Sequence, residues 1–407
     1  MPRLASDLYS GKAAESSSIL MSIIEPFLAR TDIAYFSMEI ALRPEIHTYS
    51  GGLGMLAGDT ARSSADLELP IVFVTLASRA GYLRQAISPD GWQIDHPDPW
   101  KPSEWVAPLN AMVAVAIGER LVWIRPWLFT VVCPLGHHVP VILLDTDVDS
   151  NEVSDRRITD RLYGDGESDR LKQEIVLGIG GVRMLRALGF EISTYHLNEG
   201  HAALLTLPLL RRYRRRTDNH EQDPILYDID RVREQCVFTT HTPVESGHDK
   251  FSYDLAGRLL GDAIEIDQLK LLGGDDRLNM TRLALNLSGY VNGVASRHAE
   301  TASRMFPGYH IRAITNGVHV PTWAHPGFAR LYQTMFPNWG HEPERLTRAD
   351  QLDDEAVWEA HQGAKQELLA TIAQTTDVAM DPSIPLIGFA RRMTGYKRPD
   401  LLFEDIE

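Results

Sequence analysis

The stretch TYHLNEGHAALL, residues 194–205, is the part of the sequence that decides the expected fold. Its first residues read as a β-strand, and polar residues including His201 follow where the strand ends and a helix begins. FTTHTPVESGHD (238–249) and RAITNGVHVPTW (312–323) repeat this arrangement. In an open α/β sheet, ligands bind at the edge where the parallel strands present their carboxyl ends. The three stretches therefore predict one shared cleft.

Each of these polar residues also has an ordinary structural explanation. His201 and His241 could be core histidines with satisfied hydrogen bonds, and Asn316 in TNG could be a turn residue. A shared cleft is the better interpretation because three such strand ends occur together with a glycine-rich turn at residues 51–54.

That turn lies in YSGGLGMLAGD, residues 49–59. The paired Gly51 and Gly52 permit close backbone approach, and the helix that follows directs free N–H groups and its positive dipole end at a bound group. A tight turn that needs positive φ is the alternative. The glycines of GIGGVRMLRALG (178–189) lie inside a helical stripe and do not follow a strand, so they predict no dinucleotide site.

Strand-like and helical runs alternate along the chain, which indicates an α/β fold. We expect a long helix from about residue 169 to 188 and continuous helix over LALNLSGYVNGVASRHAETASRMF (283–306). Near the end, IGFARRMTGYKRPDLL predicts a strand from Leu386 to Ala390, a turn containing Gly395 and a helix opening near Pro399. That unit would begin a second domain.

Composition limits the possible partners. A length of 407 residues predicts two or three lobes, and a net charge of −15 argues against nucleic acid as the main partner. Cys133 and Cys236 lie in apolar strand-like runs and are expected to be reduced core residues. No secretory leader or apolar run of about 20 residues is present. We expect a cytoplasmic protein that binds no membrane and, lacking zinc-type spacing, no metal.

The last segment carries a cationic turn. The Arg392 guanidinium, which can donate two hydrogen bonds, and the Lys397 ammonium group could bind the same phosphate. Arg391 and Arg398, on either side of them, could be solvent-exposed. A plain surface feature is the alternative for a turn of this kind.

Taken together, these segments resemble the α-glucan (glycogen, starch, maltodextrin) phosphorylases, particularly the shorter bacterial type. Members fold as two Rossmann-like domains across a cleft, the GT-B arrangement. They transfer glucose from an α-1,4-glucan to inorganic phosphate and release glucose 1-phosphate, with pyridoxal phosphate acting through its phosphate group. The matching stretches are AYFSMEIAL, YSGGLGMLAGD, GYLRQAISPDGWQ, RLKQEIVLGIGGVR, HLNEGHAAL, FTTHTPVESGHDKF, VNGVASRHAE, ITNGVHVPTW and ARRMTGYKRPDLL.

The resemblance implies a GT-B-like α/β fold, with a Rossmann-like N-terminal domain and a truncated second Rossmann-like domain. The expected divisions are an N-terminal extension at 1–31, the glucan- and phosphate-binding domain at 32–375, a linker at 376–384 and the start of the second domain at 385–407.

The resemblance also assigns roles to residues of the first domain. Gly52, with Gly51 and Leu53, would place backbone N–H groups against the cofactor and substrate phosphates. His241 and Asn316 would hydrogen-bond the glucosyl unit that is transferred.

Further roles fall in the later segments. Trp323 and Arg391 would border the cofactor, although many relatives carry lysine at the position of Arg391. Arg392 and Lys397 would bind the reacting phosphate, and Tyr396 would contact the sugar. In that arrangement the cations would hold a phosphate that protonates the glycosidic oxygen. The negative charge of the phosphate would then stabilise an oxocarbenium-like glucosyl centre.

The chain departs from the family in one respect. The Ser-Gly-Thr-type loop that carries the Schiff-base lysine for pyridoxal phosphate has no counterpart in the sequence. We therefore expect a truncated chain that is inactive alone and that needs a complementing C-terminal lobe, with homo-oligomerisation also possible. Its expected ligands are an α-1,4-glucan or maltodextrin and inorganic phosphate.

Two alternatives stay open. One is a non-catalytic glucan-binding remnant. The other is a nucleotide-sugar glucosyltransferase such as glycogen synthase, in which a lysine typically stands two residues before the paired glycines. Tyr49 holds that position here.

Overall fold

The structure is a computed structural model, and it describes residues 23–215, 225–391 and 397–405. The chain divides into two compact units, Met1–His319 and Val320–Glu407. The domain boundary expected at residues 376–384 stays a prediction.

A ten-stranded, mostly parallel sheet forms the centre of the first unit. In chain order the strands are β1 (Ile33–Ser37), β2 (Ile71–Leu76), β3 (Arg84–Ile87), β4 (Gln93–His96), β5 (Ala107–Pro108), β6 (Val113–Ile117), β7 (Arg120–Val132), β8 (His138–Asp145), β9 (Thr194–Asn198), β10 (Cys236–Thr240), β11 (Lys250–Phe251), β12 (Leu278–Asn279), β13 (Tyr290–Gly293) and β14 (Arg312–Ala313). Their order in the sheet is β14-β13-β10-β9-β1-β2-β8-β7-β5, with β6 paired to β7. Strands β14 to β8 run parallel along this order, whereas β7 is antiparallel to β8.

The two faces of this sheet pack against separate cores. Along β1, Phe36 belongs to one apolar cluster and Tyr35 to the other, because successive side chains of a strand point to opposite faces. Every residue of β2 is buried. Strands covered on both faces read as uninterrupted apolar runs, which is why these strands are recognisable in the sequence.

Helices cover the sheet of the first unit and form the regular structure in the described residues of the second unit. The α-helices are α1 (Glu25–Leu28), α2 (Gly52–Asp66), α3 (Pro102–Trp105), α4 (Val153–Arg156), α5 (Glu167–Ile175), α6 (Gly181–Leu188), α7 (Thr206–Arg212), α8 (Ile229–Gln235), α9 (Tyr253–Leu260), α10 (Ile266–Gly273), α11 (Met280–Asn286), α12 (Ser296–Met305), α13 (Val320–Trp323), α14 (Pro326–Met335) and α15 (Asp354–Thr376). Short 3₁₀ segments are Gly200–Leu205, Glu245–Gly247, Gly261–Ala263, Pro343–Gln351 and Leu401–Phe403.

The long helix expected at about 169–188 is confirmed, as α5 and α6 joined by a π-helical turn at Val176–Gly180. The glycines of this helix allow neighbouring elements to pack closely against it. A Cβ on Gly178 would lie 2.5 Å from the backbone nitrogen of Leu205, and one on Gly181 would lie 2.5 Å from the Phe36 ring. These glycines let the helix approach its neighbours closely, which explains the resemblance to a dinucleotide motif.

Two expected elements are corrected. The continuous helix expected at 283–306 is interrupted by the strand Tyr290–Gly293, which pairs with β10. A short apolar run inside a helical pattern cannot be separated from helix by periodicity, and sheet pairing decides it. The strand expected from Leu386 to Ala390 is absent: these described residues form no regular structure. A strand needs a partner to satisfy its backbone groups, and no strand of the described residues pairs with this segment.

The regular structure in the described residues of the second unit is helical, and this unit has a small core of its own at Phe336, Trp339 and Leu352. Across the described part of the whole chain, no helix combines the length and apolar character needed to cross a membrane. Cys133 and Cys236 are buried free thiols, as expected.

Candidate functional site

Four parallel strands of the first unit end at one edge of the sheet. Ser37 at the end of β1 is level with Asn198 at the end of β9, and Asn198 is level with Thr239 in β10. Thr240 is level with Gly293 at the end of β13. The loops that leave these strands therefore meet at one place, as ligand sites in open α/β sheets do.

Glu199 organises the loop after β9 and the loop after β10. The residue is 4% exposed, and its carboxylate accepts from the backbone nitrogens of Gly200 (3.1 Å), His241 (2.8 Å) and Thr242 (3.1 Å). The Thr242 hydroxyl donates to it as well, at 3.0 Å. Glu199 has φ of 70°, a conformation that is uncommon outside glycine. One buried carboxylate thus joins two strand ends.

The His241 imidazole is held by a second contact. Its Nε2 lies 2.6 Å from Oδ1 of Asn198, and Asn198 donates through Nδ2 to the Ser37 hydroxyl at 3.0 Å. Burial lowers the pKa of His241, and the nearby Glu199 carboxylate only partly opposes that shift. His241 is therefore a neutral, oriented imidazole at the sheet edge.

Glu39 shapes the glycine-rich turn before α2. It is buried, and its Oε2 accepts from the backbone nitrogens of Ser50 (2.6 Å) and Gly51 (3.2 Å). Its Oε1 accepts from the Tyr163 hydroxyl at 2.6 Å. Gly51 therefore already has a partner for its N–H group, and its expected role as a phosphate donor stays a prediction with Glu39 as a competing acceptor.

The next two N–H groups are different. Helix α2 begins at Gly52, so the N–H groups of Gly52 and Leu53 have no acceptor within the helix. Within the described ranges no other acceptor bonds to them. A Cβ on Gly51 or Gly52 would meet nothing within 4 Å. Open space in front of unpaired N–H groups at a helix start suits an anion.

The glycines of this stretch have distinct structural requirements. A Cβ on Gly54 would lie 2.8 Å from the Glu39 carboxylate, and one on Gly58 would lie 2.1 Å from the Ala41 carbonyl oxygen. Gly54 and Gly58 are therefore needed for α2 to pack on the loop after β1. Gly52 has no such requirement within the chain.

This difference gives a testable pair of variants. Gly58→Ala is expected to lower the free energy of unfolding by about 1–3 kcal/mol, because the methyl overlaps a backbone carbonyl that cannot move aside cheaply. Gly52→Ala is expected to leave it unchanged or raise it by about 0.4–1 kcal/mol. Urea unfolding of both variants measures the difference. Equal losses in the two variants would contradict the assigned packing.

A charged network adjoins this edge. Arg170 in α5 donates to the Asp249 carboxylate through Nε (3.1 Å) and Nη2 (3.0 Å), and through Nη2 to Nε2 of His201 (2.9 Å). Its guanidinium also lies 4.3 Å from the centre of the Tyr163 ring. Because Arg170 can only donate, His201 must accept at Nε2. Burial and Arg170 accordingly lower the pKa of His201 to about 4.

Glu174 is the unusual member of this network. It is 0% exposed, its oxygens accept no hydrogen bond from any described residue, and Arg170 Nε is 3.6 Å from Oε1. Burial and the charge of Asp249 raise the pKa of Glu174 well above its usual value. For Asp249, burial would raise the pKa, but His201 and Arg170 lower it overall. Glu174 is thus a neutral acid beside the ionised Asp249.

The expected site residues fall into three groups: those in the first unit, described residues of the second unit, and those outside the described residues. Gly51, Gly52, Leu53, His241 and Asn316 belong to the first unit. Asn316 is exposed beyond β14, and its backbone nitrogen bonds to the carbonyl of Val294 at 3.0 Å, beside the end of β13.

The other groups concern the later segments. Trp323 and Arg391 are exposed residues of the second unit, and Lys397 is partly exposed there. Arg392 and Tyr396 lie outside the described residues. In the described residues, no group of three or more His, Cys, Asp or Glu side chains is arranged to hold a metal ion.

Sequence reasoning missed the residues that orient this site. Glu39 follows β1 in FSME in the same way that polar residues follow the other three strands, so the strand-end pattern contained a fourth member. Asn198 and Glu199 were also part of that pattern. Glu174 carried no signal, since a charged residue in a helix is ordinarily solvated.

Comparison with known proteins identifies relatives of this chain. Maltodextrin phosphorylase of Thermococcus litoralis is 34% identical over 92% of this chain and 48% of its own length. Glycogen phosphorylase of Mycobacterium tuberculosis is 35% identical over 92% of this chain and 49% of its own. Glycogen phosphorylase of Aquifex aeolicus is 31% identical over 92% of this chain and 59% of its own length.

No family model matches the chain. The chain spans about half the length of the curated relatives named above. Identity at this level over nearly the whole chain shows common descent, and this chain is a homologue of the glycogen and maltodextrin phosphorylases.

Proposed function

We propose that this chain carries the part of an α-1,4-glucan phosphorylase active centre that holds the glucosyl unit and faces the phosphates. The reaction would transfer glucose from an α-1,4-glucan or maltodextrin to inorganic phosphate, in carbohydrate storage or breakdown in the cytoplasm. The observation that carries the proposal is the sheet edge of the first unit. There, the oriented His241 ring and the unpaired N–H groups of Gly52 and Leu53 lie on loops that Glu39, Asn198 and Glu199 connect.

The proposal assigns complementary roles in the first unit. A sugar is neutral and rich in hydroxyl groups, so a neutral imidazole and the exposed Asn316 amide suit it as partners. The helix start at Gly52 suits a phosphate. Phosphorolysis requires a bound glucosyl unit and a bound anion. In this proposal, separate groups of the first unit bind each of them.

The proposal also gives roles to residues of the later segments, as the resemblance to the phosphorylases implies. Arg392 and Lys397 would bind the reacting phosphate, Tyr396 the sugar, and Trp323 and Arg391 would border the cofactor. The proposed domain division, at 32–375 and 385–407 with a linker between, would make this segment the start of a second Rossmann-like domain in a GT-B arrangement.

The residues present fit the phosphate group of pyridoxal phosphate better than its aldehyde. Unpaired N–H groups at the start of α2 can hold a phosphate. In contrast, Lys101, Lys172 and Lys250 are ion-paired with Glu104, Asp169 and Glu245. When bound, the cofactor would supply a phosphate acid–base group, and the lysine that anchors it would come from other polypeptide.

We expect no phosphorolysis by the 407-residue chain alone, because half of the proposed centre would be missing. The chain, a separately produced C-terminal phosphorylase lobe and their mixture are each incubated with maltodextrin, phosphate and pyridoxal phosphate, and glucose 1-phosphate is measured. Only the mixture should form product. Gly52→Ala, which is expected to fold, should reduce the rate of the mixture about tenfold or more by placing a methyl at the anion site.

Two results would contradict this proposal. One is turnover by the chain alone. The other is stoichiometric labelling of one of its lysines after borohydride reduction with pyridoxal phosphate, which would place the imine on this chain. The nucleotide-sugar alternative receives no support from the relatives, which are named phosphorylases; a binding assay with a nucleotide-glucose checks it.

A further inference from the structure

The His241 ring is bonded at one nitrogen and open at the other. Nε2 lies 2.6 Å from Oδ1 of Asn198, and the main-chain nitrogen of His241 is fixed by Glu199 at 2.8 Å. Nδ1 has no hydrogen-bond partner in the described part of the chain. Which nitrogen carries the proton therefore determines whether the open side donates or accepts.

A series of hydrogen bonds that starts at the backbone carbonyl of Glu39 determines which nitrogen of His241 carries the proton. The backbone carbonyl of Glu39 can only accept, and the Ser37 hydroxyl lies 2.7 Å from it, so Ser37 must donate its proton there. The Ser37 oxygen can then only accept from Asn198, at 3.0 Å. The nitrogen of the Asn198 amide therefore faces Ser37.

It follows that the amide oxygen of Asn198 faces His241. A flipped amide would place its oxygen against a hydroxyl whose proton is already used, and its NH₂ group against Nε2. Asn198 is 0% exposed, so water does not compensate for such a mismatch. His241 must donate from Nε2, and in the neutral ring Nδ1 keeps its lone pair.

We propose that Asn198 is a positioning residue that holds His241 in the Nε2–H tautomer, so that Nδ1 accepts a hydrogen bond from a hydroxyl group of the bound sugar. The identity of the ligand rests on the function proposed above, whereas the tautomer does not. The site then selects for a hydrogen-bond donor at one position of the glucosyl unit.

The first test measures the tautomer in the full-length protein. With ¹⁵N-labelled histidine, NMR distinguishes a protonated from an unprotonated ring nitrogen, and loss of a signal in His241→Gln assigns it among the 15 histidines. We expect a protonated Nε2 and an unprotonated Nδ1 at pH 8, which lies above the ordinary histidine pKa, and burial lowers the pKa of His241 further. A protonated Nδ1, or a mixture of both tautomers, would overturn the proposal.

Variants then test the role of Asn198. Asn198→Asp keeps an acceptor beside Nε2 and should keep its proton in place, whereas Asn198→Leu removes the acceptor and should give a tautomer mixture. Thr239→Val is a matched buried control, because it breaks the separate contacts of Thr239 with His196 (2.8 Å) and Asn292 (2.9 Å). It should leave the His241 signals unchanged. An unaltered tautomer in Asn198→Leu would overturn the assigned role, and the wild-type spectrum still decides the tautomer if that variant fails to fold.

The second test uses glucose and analogues in which each hydroxyl group in turn is replaced by hydrogen or by fluorine. Fluorine can accept but cannot donate, so at one position both replacements should weaken binding about tenfold or more, and to the same extent. If the fluoro sugar bound as tightly as glucose at every position, Nδ1 would not be an acceptor. Absence of any glucose binding would contradict the proposed function and the ligand part of this proposal, and the NMR result would still decide the role of Asn198.

Discussion

Replacing Glu199 by alanine is expected to lower the free energy of unfolding by about 3–5 kcal/mol, because it leaves several buried donors without an acceptor. The backbone N–H groups of Gly200, His241 and Thr242 all bond to this one carboxylate. The loss should also free the loop after β10, so the His241 signals should broaden. Urea unfolding at pH 7 gives the energy, and NMR gives the second readout.

The effect of Glu199→Ala should depend on pH. Burial alone would raise the pKa of Glu199, but His241, His201 and the His241 backbone N–H lower it overall. A carboxylate with a lowered folded-state pKa stabilises the protein above its ordinary pKa, and that contribution disappears as the pH falls through the folded value. The difference between wild type and variant should therefore shrink in acid.

Glu167→Ala is the matched control for this prediction. The Glu167 side chain is 57% exposed and is paired with Arg277 at 2.7 Å. An exposed ion pair contributes about 0–1 kcal/mol. A loss in Glu199→Ala no larger than the loss in Glu167→Ala would show that Glu199 does not hold the two loops.

Glu174→Gln is expected to raise the free energy of unfolding by about 1–3 kcal/mol at pH 7–8, which is the reverse of the usual effect of a buried substitution. Glu174 is buried beside Asp249, Arg170 and His201 and has a raised pKa. The raised pKa means that the folded wild-type protein holds a proton on Glu174 more tightly than the unfolded chain does, which costs stability at pH 7–8. Protonated Glu174 forms a side-chain hydrogen bond with Asp249, and glutamine, which is neutral at any pH, keeps an N–H donor for that carboxylate.

The pH dependence of this prediction has the opposite sign to that of Glu199. Between the unfolded and the raised folded pKa of Glu174, the folded state binds more protons than the unfolded state, so wild-type stability falls as the pH rises. The advantage of Glu174→Gln should therefore grow from pH 5 to pH 8 and vanish near the ordinary glutamate pKa. Thermal unfolding across this range measures it.

Two further variants test the reason for that gain. Glu174→Leu removes the donor to Asp249 and should be less stable than Glu174→Gln. Glu167→Gln, on the surface, should show no comparable gain at any pH. If Glu174→Gln were destabilised at pH 8 by as much as Glu174→Leu, the buried acid would have to be ionised and paired.

Strands buried on both faces were readable from the sequence, because such strands are continuous apolar runs with polar residues at their ends. That pattern placed β1, β9 and β10 and located the sheet edge that carries His201 and His241. It failed at Tyr290–Gly293, where a short apolar run gains strand structure only by pairing with β10. It also failed at Leu386–Ala390, where no partner strand is present in the described residues.

The two glycine-rich motifs show what a local sequence pattern does not reveal about structural role. GGLG and GIGG are both glycine-rich, and the sequence separates them only by context, because the glycines of GIGG lie inside a helical stripe and do not follow a strand. In the structure, Gly178 and Gly181 are needed for close packing of a helix, while Gly52 lies at a helix start with open space before it. The positions of neighbouring elements give the physical reason for the difference that the sequence context indicated.

The sequence by itself determined the α/β class, the edge of the sheet where polar residues collect and the relation to the phosphorylases, because short-range periodicity and motif order are properties of the chain. The tertiary structure alone decided the hydrogen-bond directions that give these residues their chemistry. Glu39 and Ser37 of one strand end fix Asn198 of the next, and Asn198 fixes the proton on His241. Those directions depend on donors and acceptors far apart in sequence that meet only when parallel strands align.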